Sequence, residues 1–309
     1  MALSAPLLSR LRLMQVKVEA EKGTLIAVDT DVLVYDVACN PEEGFNPRKG
    51  SAKGMGHTSP GILDGSRAAK CTFKTELRGT GGQALDAGLA ILLQACGQLK
   101  TTEVYTFTST HASQNTISIA WFENGRRKQL AGCMGTYSIT PENGVLFLSF
   151  EFSGVWQAPT DTAMPTCAYS VRAPIPWGHS SYAFTLAAQA FKMTTFTFAC
   201  GNEVVPRFDG GRIAYYMITD RDPKWTLDPE ADLIAGYDTY GSWLAGTELA
   251  LSLAVTDGTD TVTLASPKTQ ISEPPATEDS EGILRDVLTL QCNISVIDTG
   301  DDEFSLAVT

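Results

Sequence analysis

Histidine occurs three times in the 309 residues, at His57, His111 and His179. The three are remote from one another in sequence and have no cysteine or carboxylate in metal-ligand register beside them. They are read as exposed loop residues rather than as a metal site. The seven cysteines (Cys39, Cys71, Cys96, Cys133, Cys167, Cys200, Cys292) are odd in number, widely spaced and without a Cys-x-x-Cys pair, which removes zinc and dithiol redox chemistry. We read them as reduced core thiols made in a cytoplasm, with a lone structural disulfide as the alternative. Also missing are the Gly-x-Ser-x-Gly elbow, the Walker loop, Gly-x-Gly-x-x-Gly and His-Glu-x-x-His. No stretch reaches the roughly 18 uninterrupted apolar residues of a membrane helix. The apolar Met1–Met14 segment is broken by Arg10 and Arg12 and does not read as a signal peptide. The expectation is a protein with no cofactor, no metal and no membrane partner.

Basic residues are scarce in the second half. Residues 1–160 carry 15 Lys+Arg against 14 Asp+Glu, whereas residues 161–309 carry 8 against 21. A chain this acidic is poorly suited to wrapping nucleic acid, which needs cations to displace counterions from phosphates. The charge step coincides with a proline cluster at Pro159, Pro165, Pro174 and Pro176, so two domains are expected, 1–160 and 161–309.

What is present is alternation. In Gly132–Trp156, two strand patterns flank Asn143-Gly144, a dipeptide that favours the two-residue hairpin turn. Leu146, Leu148, Phe150 and Phe152 share one face, while Val145, Phe147, Ser149 and Glu151 share the other. So apolar a strand requires cover on both sides, from its own chain or from a second subunit. Further strand patterns run over Met14–Ala20, Asp31–Val37, Ala69–Leu77, Val104–Thr108 and Thr116–Phe122. Leu85–Cys96 has a helical apolar face followed by Gly97. The second half replays this order, with strand patterns from Phe184 to Leu227, a short helix over Asp238–Gly246 that ends in glycine, strands from Leu249, and a closing strand over Ile283–Val296. The fold class expected is mainly β, two tandem β-sandwich domains each with one flanking helix.

Asn40–Gly65 is rich in glycine and proline and poor in large apolar side chains. It is expected to be a structureless mobile loop whose length points to function. Its basic residues Arg48, Lys49 and Lys53 suit docking onto an acidic surface. Arg78-Gly79-Thr80-Gly81-Gly82 could cradle a phosphate but lacks the lysine and spacing, so a glycine turn is expected. Asp257–Asp260 and Asp298–Glu303 superficially look like calcium loops, yet do not repeat the spaced oxygen pattern, and are read as solvated turns. Asp220-Arg221-Asp222-Pro223 and Asp228-Pro229-Glu230 hold paired carboxylates of the kind glycosidases use, with nothing to place a substrate between them. No catalysis is expected.

The Gly132–Trp156 hairpin with its flanks (LAGCMGTYSITPENGVLFLSFEFSGVWQAP), together with Gly282–Val308 (GILRDVLTLQCNISVIDTGDDEFSLAV), resembles the major tail tube proteins of long-tailed bacteriophages. The resemblance lies in glycine turns and alternating strands over the whole chain. It implies a virion protein that self-assembles into stacked rings around a continuous β-barrel, through which DNA is delivered. Members with two such domains per chain form trimeric rings. It also implies tape measure, tail terminator and tail-tip proteins as partners, and assembly in the host cytoplasm. The inter-ring loop would then include Gly44, Phe45, Arg48, Lys49, Lys53, Met55 and His57. An acidic lumen would let DNA pass, with Arg285, Thr289, Gln291, Asn293 and Ser295, the polar face of the last long strand, as candidates to line it. The rival from the residues is a monomeric β-sandwich decoration or adhesin protein of a virion, with the 40–65 loop as a recognition tip.

Overall fold

The computed structural model describes residues 7, 8, 10–51, 54, 56, 57, 59–169, 172–178 and 181–309. The first half contains β1 (Arg12–Val18), β2 (Thr30–Val32), β3 (Tyr35–Pro41), β4 (Phe45–Arg48), β5 (Ser59–Leu63), β6 (Ala68–Glu76), α1 (Ala87–Ala95), β7 (Gln98–Thr101), β8 (Val104–Phe107), β9 (Ile117–Glu123), β10 (Arg126–Glu142) and β11 (Val145–Asp161). The second contains β12 (Tyr182–Leu186), β13 (Gln189–Ala190), β14 (Met193–Ala199), β15 (Asn202–Asp209), β16 (Arg212–Arg221), β17 (Lys224–Pro229), α2 (Thr239–Ala245), β18 (Glu248–Thr256), β19 (Thr261–Ile271), β20 (Ala276–Ser280), β21 (Ile283–Cys292) and β22 (Ser305–Val308). The protein is mainly β, with antiparallel sheets and two short helices.

Local chemistry sets these elements. Asn143 and Gly144 both have positive φ, 51° and 80°, the conformation that joins β10 to β11 in two residues. Glu281 and Gly282 do the same between β20 and β21, at 56° and 84°. Asp86 caps α1 by accepting from the Gly88 amide at 3.0 Å, and Asp238 caps α2 through the Gly241 amide at 2.7 Å. Each cap satisfies an amide the helix leaves without a partner. In β14 the alternation Thr195-Phe196-Thr197-Phe198 turns both phenylalanines into the core, where they are at most 1% exposed.

The same ladder occurs in each half. In the first, β2 pairs with β1, β1 with β9, β9 with β10, β10 with β11, β11 with β6 and β6 with β3. In the second, β13 pairs with β12, β12 with β18, β18 with β19, β19 with β21, β21 with β17 and β17 with β14. β20 completes the place held by the turn-proximal end of β10, since it pairs with β21 after a break at Pro274-Pro275. A two-stranded ribbon interrupts the same step of each ladder, β4–β5 between β3 and β6, and β15–β16 between β14 and β17.

The halves are joined by strand pairing as well as by packing. β10 pairs with β14, and the last strand, β22, lies between β19 and β8. One buried cluster contains residues from Met14 to Val308.

Several expectations are corrected. The 40–65 segment is not structureless. Its β4 and β5 pair with Phe45 opposite Leu63 and Arg48 opposite Ser59, and the Phe45 ring covers Gly61 so closely that a Cβ there would collide with it. An aromatic laid across a strand glycine restores the contact area the glycine lacks. A further strand, β20, forms ahead of β21, and the expected strand to Val296 stops at Cys292, beyond which Asn293 turns to Glu248 and Gln270. Cys39 and Cys71, opposite each other on β3 and β6, form a disulfide, while the remaining five cysteines are free. The glycine turn does cradle an anion, but it is the chain's own. Asp260 accepts from the Gly81 and Gln83 amides at 2.7 and 2.9 Å, and a side chain at Gly79 would collide with its carboxylate. Asp260 is fully buried rather than a solvated turn residue.

A second buried carboxylate, Glu19, holds the corner of the first half. It accepts from the amides of Gly23 and Gly132 at 2.8 and 2.7 Å and from the hydroxyls of Thr116 and Ser118 at 2.7 and 2.8 Å. Substituting Glu19→Ala leaves these donors without a partner and is expected to cost about 2–4 kcal/mol. A urea unfolding midpoint equal to that of the parent would refute this role.

Candidate functional site

The strand pairings place eight strands in one antiparallel sheet, in the order β3-β6-β11-β10-β14-β17-β21-β20. Register shows what its two faces carry. One row across the sheet reads Tyr35, Lys74, Ser149, Ser138, Ala199, Lys224, Gln291, and another reads Ala38, Thr72, Glu151, Thr136. The alternate rows hold Cys71 with Phe152 and Phe73 with Phe150 and Tyr137, all buried. One face is therefore core and the other is short and polar, with an open depression at Thr72, Lys74, Thr136, Ser138, Ser149 and Glu151. The β11 strand is thus covered on its Leu146–Phe152 face and open on the Ser149–Glu151 face.

The strand cations of this polar face each lie beside a carboxylate. Lys70 meets Glu151 at 2.5 Å, Lys74 meets Glu142 at 2.6 Å and Lys224 meets Asp222 at 2.6 Å. Arg285 faces Asp228 and Glu230 at 3.9 and 3.8 Å. On this face the strand lysines therefore carry neighbouring negative charge. Pairs this exposed contribute little stability; what they do is neutralise the lysines.

Among the described residues, the two outermost strands each have an open side. β3 has β6 as its partner strand and β20 has β21, and Ala276–Asp279 are exposed throughout. Such an edge presents unpaired amides and carbonyls to another strand. The ribbons differ in the same way. β15–β16 packs Ile213, Tyr216 and Ile218 onto Met134 and Val155 of the first half, whereas β4–β5 leaves Phe45, Ile62 and Leu63 exposed by 64%, 57% and 58%.

The residues singled out in the sequence fall into groups. Gly44 and Phe45 are at the foot of the exposed ribbon, where the Gly44 amide donates to Asp64 at 3.0 Å; Arg48, Lys49 and His57 are exposed toward its tip. Lys53 and Met55 lie outside the described residues, as does His179. Arg285, Thr289 and Gln291 share the polar face of the sheet. Asn293 and Ser295 are separated from them, in the loop after β21, where Ser295 donates to Asp302. His111 stacks on Tyr215 and shares a hydrogen bond with its hydroxyl at 3.2 Å. The glycosidase-like carboxylates have structural partners. Asp228 accepts from the Thr194 and Thr195 amides, and Asp222 from Lys224 and Gln291. The ribbon β15–β16 was not anticipated, although Asp209-Gly210-Gly211 is a hairpin signal.

A family model described as phage tail tube protein matches residues 58–292. No curated protein matches the chain.

The acidic turns act as struts, and this gives the protein an acid limit. The Arg172 guanidinium beside Asp257 holds its carboxyl below the usual range, assisted by the Asp260 and Thr259 amides. Burial pushes Asp301 up, but hydrogen bonds from Ser109 and Arg221 outweigh it and the carboxyl ends lower than usual. Carboxyls depressed in the folded state contribute stability above the ordinary aspartate value of about 3.9, and that contribution is lost as pH falls through their folded values. The melting temperature is therefore expected to drop below about pH 4, and Asp301→Asn to lower it at pH 7 but much less at pH 2. A uniform deficit at both pH values would contradict the assignment.

Proposed function

The chain belongs to the phage tail tube protein family, a structural component of the virion tail, and we propose that it self-assembles into stacked rings that form the conduit for DNA. The observation that carries this reading is the eight-stranded sheet with one apolar face, one polar face and two unpaired edges. A head-to-tail contact that closes by rotation makes a ring and removes both edges. Three copies would supply about twenty-four strands, more than the 16–18 that already leave an aqueous channel in porins. The trimeric ring is proposed on that ground. The polar face, with Arg285, Thr289 and Gln291 on it, would line the lumen, and Asn293 and Ser295 would not. DNA carries about one negative charge per 1.7 Å of axis, and lysines already paired with carboxylates offer it little to bind.

The two halves are proposed to be tandem units, 1–160 and 161–309, on the strength of their matching ladders. The ribbon β4–β5, with Gly44, Phe45, Arg48, Lys49, Lys53, Met55 and His57, is proposed to join successive rings. Its exposed Ile62 and Leu63 support that reading, because the second ribbon of the chain uses the same kind of surface to cover a neighbouring unit. Tape measure, terminator and tip proteins are the partners that follow, and no catalytic step is assigned.

Electron microscopy of the purified protein is expected to show regular hollow tubes; persistent monomers at high concentration would favour the decoration or adhesin reading instead. The double substitution Ile62→Asp with Leu63→Asp is expected to leave the fold intact and to give single rings that do not stack. Unimpaired tubes would remove the ribbon from the contact, and loss of rings altogether would move it to the seam between neighbours.

A further inference from the structure

We propose that the joint between the two halves of one chain is repeated between neighbouring copies, so that edge strand β20 of one copy pairs with edge strand β3 of the next in a defined register. The proposal rests on the ring reading and specifies its seam.

The internal joint has two parts. In the first, β10 meets β14 with Ser138 opposite Ala199 and Ile139 opposite Phe198. In the second, the segment before β12 lies over the start of β11. Pro176 bridges Val145, the Trp177 amide donates to the Gly144 carbonyl at 2.8 Å, and Ile175 and Leu146 are both fully buried.

The matching ladders place each of these positions on the free edges. Ser280 and Ile283 flank the Glu281-Gly282 turn as Glu142 and Val145 flank Asn143-Gly144. Counting back from the turns, Ala276 and Thr277 stand where Ser138 and Ile139 stand. At the other edge, Asn40 and Cys39 face Lys70 and Cys71 as Ala199 and Phe198 face Lys224 and Trp225. Lys70 and Lys224 hold the same place, opposite Ser153 and Gln291. The seam therefore sets Ala276 opposite Asn40 and Thr277 opposite Cys39. Pro41 takes the place of Cys200, whose amide donates to the Tyr137 carbonyl. Proline has no such donor, so the ladder ends there.

The second part supplies independent support. Leu284 corresponds to Leu146, yet it is 58% exposed where Leu146 is 0%, and Ile283 beside it is 47% exposed. Its missing cover has a counterpart elsewhere in the chain. Met14 occupies in β1 the place of Tyr182 in β12, on the core face opposite Trp121 as Tyr182 is on the core face opposite Val255. Leu7 and Leu8 precede Met14 by the spacing at which Ile175 and Pro176 precede Tyr182, and they are exposed by 55% and 58%. Leu7 and Leu8 of the next copy would thus lie over Ile283 and Leu284, pairing two apolar patches that a single chain leaves in water. The contact also sets the acidic second half against a first half with nearly balanced charge, which avoids like-charge repulsion.

The test is cysteine pairing in the full chain. Asn40→Cys combined with Ala276→Cys, after assembly and mild oxidation, is expected to give covalent dimers and trimers on a non-reducing gel. Ser138→Cys with Ala199→Cys reports the internal joint as an intrachain control. Cross-linking by Asn40→Cys alone would mean that β3 meets itself, and would overturn the proposal. Rings seen by microscopy without cross-links would overturn the seam while leaving the tube reading standing; monomers without rings would overturn both. Leu284→Asp, at a site exposed in the single chain, is expected to keep the parent melting curve and abolish rings. Normal rings from that variant would remove Leu7 and Leu8 from the seam.

Discussion

An antiparallel sheet must place its amides and carbonyls somewhere, and the rest of this structure depends on how that requirement is met. Inside the sheet every strand from β6 to β21 has a partner on both sides. At its ends β3 and β20 have one each. A soluble monomer would blunt such edges with charge, bulges or a covering loop. Pro41 limits one edge and Glu278 and Asp279 decorate the other, but both remain open over several residues. Among the described residues the sheet is paired throughout its interior and open at its two margins.

Two of the buried carboxylates show how part of the interior is held without ion pairing as its main device. Glu19 and Asp260 accept chiefly from backbone amides and hydroxyls. A carboxylate surrounded by such donors is satisfied by dipoles already fixed in the backbone, so its desolvation is offset without ordering a long cationic side chain. Asp260 does this across the two halves, reaching a glycine turn nearly two hundred residues earlier. What looked like a phosphate cradle is geometry built for an anion that the chain itself supplies.

Much of the fold was legible because its signals are local. Alternation located most of the strands, Asn143-Gly144 the turn between β10 and β11, and glycine the ends of both helices. The ribbon β4–β5 was illegible because Asn46, Pro47 and Gly61 read as loop, and the Phe45 ring that covers Gly61 belongs to the facing strand. The Cys39–Cys71 bond was equally hidden, since it depends on register between strands 32 residues apart in sequence. For the candidate surface, Arg285, Thr289 and Gln291 could be read from period-two alternation. Asn293 and Ser295 obey the same period and yet leave the strand, because Ser295 finds Asp302. The edges could not be read at all, since being an edge is a property of the sheet and not of the strand.

The placement of β22 has a consequence in time. Its residues pair with β8 at Thr106 and Tyr105, contacts that span roughly 200 residues of chain and close late on the ground of loop entropy. Until β22 docks, β19 and β8 have no strand between them, so the two ladders form first and are clasped together last.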